Sequence, residues 1–312
     1  MVLDINYCHI MGSNEAPNIS NSIILVLVAL VSVTNGGDIV VYWGQDGREG
    51  SLSATCNSGL YKTVNIAFLS AFGGGTQPQL NLANHCNPAS NGCLSLNKDI
   101  KNCQARGIQV LLSIGGGAPG YSLSSSKDAT NLANYIWNNF LGGKSNSRPF
   151  GNVVLDGVDF DIELGGGASF YIVLAKTLSN LSKGGQKVYL SAAPQCPFPD
   201  KQLNGALSTG LFDYVWIQFY NNGPCEFDAN NPRKFQRSWN QWTTSIRAGK
   251  LYVGFPASPS QSAAGSGYVP PQVLMNRVLP FVKKSSIYGG VMLWDRFNDL
   301  QTGYSRNIKP SV

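Results

Sequence analysis

Leu155-Asp156-Gly157-Val158-Asp159-Phe160-Asp161-Ile162-Glu163 puts four acids into its last eight residues, and from Val158 onward acids alternate with apolar residues. Alternation at period two is the pattern of a strand with two unlike faces. Successive strand side chains point to opposite sides. Asp159, Asp161 and Glu163 therefore share one face, and Val158, Phe160 and Ile162 the other. Same-face neighbours on a strand lie about 6.6 Å apart. The three apolar residues need a core to pack against, which argues against an acidic surface edge. Three carboxylates in a row on one buried face cannot all stay ionised, so at least one is expected to hold its proton near neutral pH. A carboxylic acid held protonated is what cleavage of a glycosidic bond requires as general acid.

Short apolar, β-rich runs recur on both sides of this stretch. They read as strands at 39–43, 64–69, 108–113, 154–162, 188–192, 214–219, 251–255 and 290–294. Several are continuous apolar runs, the mark of strands covered on both faces. The segments between them are long enough for helices, among them 129–140, 170–181 and 271–283, the last interrupted by Pro280. Eight strands alternating with helices predict a parallel (β/α)8 barrel, the TIM-barrel architecture, with a doubly wound open sheet as the alternative. No linker, repeat or second composition regime divides the chain, so one domain is expected over 37–312.

Before it, Ile23–Val33 is an uncharged apolar run of eleven residues followed by Thr34, Asn35, Gly36 and Gly37. It is too short to span a bilayer and suits a secretory signal core within a presequence of residues 1–36. The absence of Lys and Arg from the first 21 residues is unusual for such a leader. Without that segment, 23 Lys and Arg face 15 Asp and Glu. The excess is diffuse, which argues against nucleic acid and favours anionic surfaces such as cell walls. No membrane association is expected once the leader is removed. Six cysteines remain (Cys56, Cys86, Cys93, Cys103, Cys196 and Cys225), an even number that points to disulfides in an oxidising compartment. Their 15 possible pairings are not distinguished by spacing. No C-x-x-C pair occurs and only His85 remains of the histidines, so neither a metal centre nor a cofactor is expected. Catalysis would rest on carboxylates and tyrosine.

Barrel enzymes carry their sites where strands end. Tyr42, Trp43 and Gln45 follow the first strand, Ser113 opens Gly115-Gly116-Gly117, Gln218, Tyr220 and Asn221 end the sixth, and Trp294 ends the eighth. Together with Glu163 they outline a cleft of carboxylates and flat aromatic faces, which suits a sugar chain. The glycine run lacks the following Lys-Ser/Thr of a phosphate loop, and Gly165-Gly166-Gly167 reads as a turn that lets a helix restart.

Asp156-Gly157-Val158-Asp159-Phe160-Asp161-Ile162-Glu163 resembles the D-G-x-D-x-D-x-E signature of family 18 glycoside hydrolases, and Leu112-Ser113-Ile114-Gly115-Gly116-Gly117 resembles that family's second signature. Tyr42-Trp43-Gly44-Gln45, Val64–Phe68, Ala193–Asp200, Gln218–Asn222 and Gly289–Trp294 are similar to the plant class III chitinases, so the resemblance covers 37–312. It implies a retaining endochitinase acting on chitin and N-acetylglucosamine oligomers, with possible lysozyme action on peptidoglycan. Glu163 would be the acid. The substrate's own N-acetyl oxygen would attack the anomeric carbon to form an oxazolinium ion. Asp161 would bind the acetamido nitrogen, Tyr220 its carbonyl, and Asp159 would share a proton with Asp161. Trp294 would floor the distorted sugar. Gln45, Asn81, Gln218, Tyr42 and Asn221 would line the cleft. The same resemblance implies disulfides Cys56–Cys103, Cys86–Cys93 and Cys196–Cys225, a secreted, extracellular monomer, and no vacuolar tail after Val312. Leu164-Gly165-Gly166-Gly167 departs from the class, which begins His-Gly there and is one residue shorter, and Ser258–Ser262 is longer. Asn180-Leu181-Ser182 is a glycosylation sequon on an expected helix. The competing expectation is a lectin or xylanase inhibitor that keeps the barrel and loses catalysis. The complete set Asp159, Asp161, Glu163 and Tyr220 argues against it.

Overall fold

The computed structural model describes residues 36–312. Among the described residues are nine strands: β1 (Asp38–Trp43), β2 (Thr63–Gly73), β3 (Thr76–Leu80), β4 (Gln109–Gly116), β5 (Gly157–Ile162), β6 (Tyr189–Ala192), β7 (Tyr214–Gln218), β8 (Lys250–Pro256) and β9 (Tyr288–Trp294). All but β3 are parallel, and the pairing of β1 with both β2 and β9 closes them into an eight-stranded barrel with helices between the strands. The expected (β/α)8 architecture is the one found. β3 is the addition: it folds back antiparallel on the long β2 through Gly73 and Gly74, both at positive φ. Its residues, Thr-Gln-Pro-Gln-Leu, are mostly polar and carry no strand signal.

Strand parity sorts the core into two layers. Ile39, Val41, Trp43, Val158, Phe160 and Ile162 belong to the cluster shared with the helices, while Val40, Tyr42, Leu111, Trp216, Tyr252 and Met292 form a separate cluster inside the barrel. The acids of β5 point inward with the second set, and its apolar residues outward, as the alternation requires.

Local signals explain the helix ends. Helix Ser126–Phe140 starts three residues before the expected 129 because Ser125 caps it, accepting from Asp128 N. Phe170–Leu181 is helical over the whole expected span. Pro271–Val282 continues past Pro280 through a π turn at Leu274–Val278. Proline lacks the N–H that an α-turn would use, and a widened turn accommodates the loss. The cysteines pair as Cys56–Cys103, Cys86–Cys93 and Cys196–Cys225, as the resemblance implied. The leader and Cys8 lie outside the described residues.

Candidate active site

β5 stands between β4 and β6 in a register that places Ser113 and Ser191 directly beside Asp159. Both serines donate to it, Ser113 Oγ to Oδ2 and Ser191 Oγ to Oδ1, each at 2.7 Å. Tyr42 Oη, from β1 across the barrel, donates to Oδ2 at 2.8 Å, and Trp216 Nε1, from β7, to Oδ1 at 2.7 Å. Each carboxylate oxygen thus receives two donors. Burial pushes Asp159 above the ordinary carboxylate range, and these four bonds oppose it. The indole N–H can only donate, so this cage favours the charged form.

Asp161, one strand repeat nearer the mouth, is also buried but receives a single hydrogen bond, from Gln218 Nε2 to Oδ1 at 3.0 Å. Burial drives its pKa well above the usual range, and the charges of Glu163 and Asp159 drive it further. With four donors on one acid and one on its neighbour, negative charge belongs on Asp159 and the proton on Asp161. The donors around Asp159 are Ser113, Ser191, Tyr42 and Trp216, and none of them is Asp161.

Glu163 lies just beyond β5, half-buried at the mouth. Its pKa is raised by burial, against hydrogen bonds from Gln195 and Gln218. Its position is set from the backbone: the N–H groups of Glu163 and Leu164 both donate to Tyr121 Oη, which donates to Gly116 O at 2.7 Å. The glycine run leaves the space. At Gly115, with φ +104°, a Cβ would stand 2.3 Å from the Asp161 carbonyl oxygen, and at Gly117 it would stand 3.5 Å from Glu163 Oε1.

Tyr220 belongs to the interior cluster, and its phenol is driven well above its usual range by burial and by the charges of Glu163, Asp161 and Asp295. Trp294, half-buried at the end of β9, stacks on Phe68 at 6.0 Å and meets Tyr42 at a tilt of 58° with ring centres 5.5 Å apart, forming an aromatic wall opposite the acids. Tyr42 therefore contributes its ring to the wall and its hydroxyl to Asp159. Gln45 turns its amide onto main-chain oxygens of Gly44, Ala67 and Asn81. Asn81 is exposed beside it, its Oδ1 closing a turn on Ala83 N. Asn221, at φ +57°, spends Oδ1 on Gly265 N and Ser266 N, so the structure uses it to tie down a rim loop.

Several residues that the site uses had no role assigned from the sequence. Gln195 Nε2 donates to Glu163 Oε2 at 3.1 Å, and Glu163 and Gln195 share a cavity of about 160 Å³ with Pro197, Pro199, Lys201 and Gln202. Trp216, Ser191, Tyr121 and Phe68 likewise had no site role from the sequence, though Phe68 closes the stretch Val64–Phe68 that resembles the class III chitinases. Trp216 and Ser191 carried a parity signal, since each points to the same side of its strand as the acids; Gln195 lies in the stretch Ala193–Asp200 that resembles the class III chitinases, and Tyr121 lies on a loop and carried none.

A model of the family "Glycosyl hydrolases family 18" matches residues 38–268. A basic endochitinase from Nicotiana tabacum is 62% identical over 288 residues, covering 92% of this chain and 96% of the relative. The crystal structure of a chitinase from Ipomoea carnea superposes with a TM-score of 0.85 at 49% identity, covering 88% of this chain and all (100%) of that one. A xylanase and alpha-amylase inhibitor protein from Scadoxus multiflorus superposes with a TM-score of 0.82 at 45% identity, covering 88% and 99%.

Proposed function

The chain belongs to glycosyl hydrolase family 18, and on that premise we propose that it is an endochitinase that cuts β-1,4 links between N-acetylglucosamine units with retention of configuration. The observation that carries the mechanism is the graded set of acids along and just beyond β5: Asp159 caged by four donors, a buried Asp161 with one, and a half-buried Glu163 at the mouth.

In this reading the sugar to be cleaved lies on Trp294, over the aromatic wall. Glu163, whose burial favours the protonated form, gives its proton to the glycosidic oxygen as the bond to the anomeric carbon breaks. The substrate's acetamido oxygen attacks that carbon, so no enzyme carboxylate need bond to the sugar, an exception to the two-carboxylate scheme. Asp161 binds the acetamido N–H and Tyr220 its oxygen. The positive charge that develops on the ring is met by the fixed charge of Asp159 behind them, in a site too buried for water to screen it. Water then attacks the anomeric carbon and gives a proton to the ionised Glu163, the bond from the acetamido oxygen to that carbon breaks, and the acetamide and the protonated acid are restored. Every group named comes from one barrel, so the chemistry needs no second copy. Peptidoglycan, whose sugars carry the same N-acetyl group, is a secondary substrate on these grounds. The apolar leader and three disulfides support delivery outside the cell.

The test is mass spectrometry of N-acetylglucosamine hexamer incubated with the protein, with the anomer of the products read by NMR. Short β-anomers from the wild type, and binding without cleavage by Glu163→Gln, are expected. Near-wild-type turnover by Glu163→Gln would refute the assignment of the acid. A second reading is favoured by the likeness to the xylanase and alpha-amylase inhibitor protein: a barrel that binds and does not cut. Hexamer bound and left intact by the wild type is its signature.

A further inference from the structure

Gln195 follows β6 at the mouth and bridges to Gln218 at the end of β7. Its side chain is half-buried and held at both ends. Nε2 donates to Glu163 Oε2 at 3.1 Å, and Oε1 accepts from Asn222 Nδ2 at 3.0 Å. The orientation of both amides follows from one group that can only accept. Asn222 Nδ2 also donates to the Tyr220 carbonyl oxygen at 2.9 Å. That fixes which end of Asn222 carries the NH2, hence which end of Gln195 faces it. A flipped Gln195 would set NH2 against NH2 and oxygen against carboxylate. The backbone is held as firmly: Gln195 N donates to Asp200 Oδ2 at 3.0 Å, and Asn222 N to Glu226 Oε2 at 3.2 Å, where Ser266 Oγ also donates. The Cys196–Cys225 disulfide joins the residue after Gln195 to the residue before Glu226, closing the two loops into one unit.

We propose that Gln195, oriented by Asn222, is the positioning residue of the catalytic acid. Its amide holds Glu163 in the rotamer that faces the scissile bond and occupies Oε2, so that Oε1 carries the transferable proton. An added Cβ at Gly117 would stand 3.5 Å from Oε1 and 3.8 Å from Oε2, so the carboxyl borders this glycine with both oxygens, and Oε1 is the one not bonded to Gln195. The inference rests on the reading of Glu163 as the acid.

Gln195→Met keeps the length of the side chain and deletes the donor. With N-acetylglucosamine hexamer as substrate, kcat is expected to fall about ten- to hundred-fold, the range of one hydrogen bond to a charged group, with KM within about threefold of wild type. A donor bonded to the carboxylate lowers its pKa, so deleting it moves the alkaline limb of the kcat/KM profile to higher pH. Asn222→Ala, which frees Gln195 to turn away, should move the same limb in the same direction by less, and it carries the test if Gln195→Met does not fold by thermal melting. Wild-type kcat, or a loss of kcat with the alkaline limb unmoved, overturns the proposal. Inert Glu163→Gln beside a fully active Gln195→Met would leave the acid in place and remove the positioning role. Active Glu163→Gln would remove the acid itself.

Discussion

Asp295 follows the aromatic wall and is 6% exposed. Burial raises its pKa from 3.8 to about 6; the bonds from Asn298 oppose this, and the charges of Glu49 and Asp46 add to it. Because the folded form holds this proton more tightly than the unfolded chain, the group's stabilising contribution is complete below about pH 4 and is lost as pH rises through about 6. At ~1.4 kcal/mol per pH unit, the loss is about 3 kcal/mol. Asp295→Asn removes the titration and keeps the shape. Its Oδ1 can still accept from Asn298 N at the start of helix Arg296–Thr302, where Asn and Asp cap equally well. Stability should be measured by urea unfolding of both proteins at intervals from pH 4 to pH 7. The wild-type-minus-variant difference is expected to slope downward by about 3 kcal/mol across that window. At pH 7 the variant should melt several degrees higher, since 1 kcal/mol moves a domain of this size by roughly 2–4 °C. Parallel stability curves would refute the claim that a buried Asp295 ionises at a cost to the fold.

Tyr42→Phe deletes one of four donors on a buried carboxylate and should cost about 1.5–3 kcal/mol in unfolding experiments. KM for oligomers should hold, because the ring keeps its tilted contact with Trp294; unchanged stability with a raised KM would make Tyr42 a substrate ligand instead. Gly115→Ala places a methyl group against the Asp161 carbonyl at a backbone angle that side chains rarely adopt. Its cost should be at least about 3 kcal/mol, read from the urea midpoint, and a loss below 1 kcal/mol would show that β4 and β5 can part without penalty.

Much of the architecture was legible because it depends on parity and length, which are local. Val158, Phe160 and Ile162 had to face a core, and Asp159, Asp161 and Glu163 had to face the other way, whichever sheet β5 joined. The eight barrel strands follow from apolar runs of the right length. β3 was not legible, since Thr76–Leu80 has no apolar face of its own and is a strand only because β2 overruns the barrel and offers it an edge.

The division of labour among the acids belongs to the fold. Alternation says that three carboxyls crowd one face and that a proton must stay among them. Which acid keeps its charge depends on Tyr42, Ser113, Ser191 and Trp216, which come from four strands and lie 32 to 117 residues from Asp159 along the chain. They meet at one carboxylate only because barrel closure and register bring those strand positions to one level. The same holds for Gln195 and Asn222, two amides on loops 27 residues apart. Their chemistry is visible in the chain, but their meeting with Glu163 is a property of long-range packing. A local pattern specifies which way a side chain points; only the closed barrel specifies what it points at.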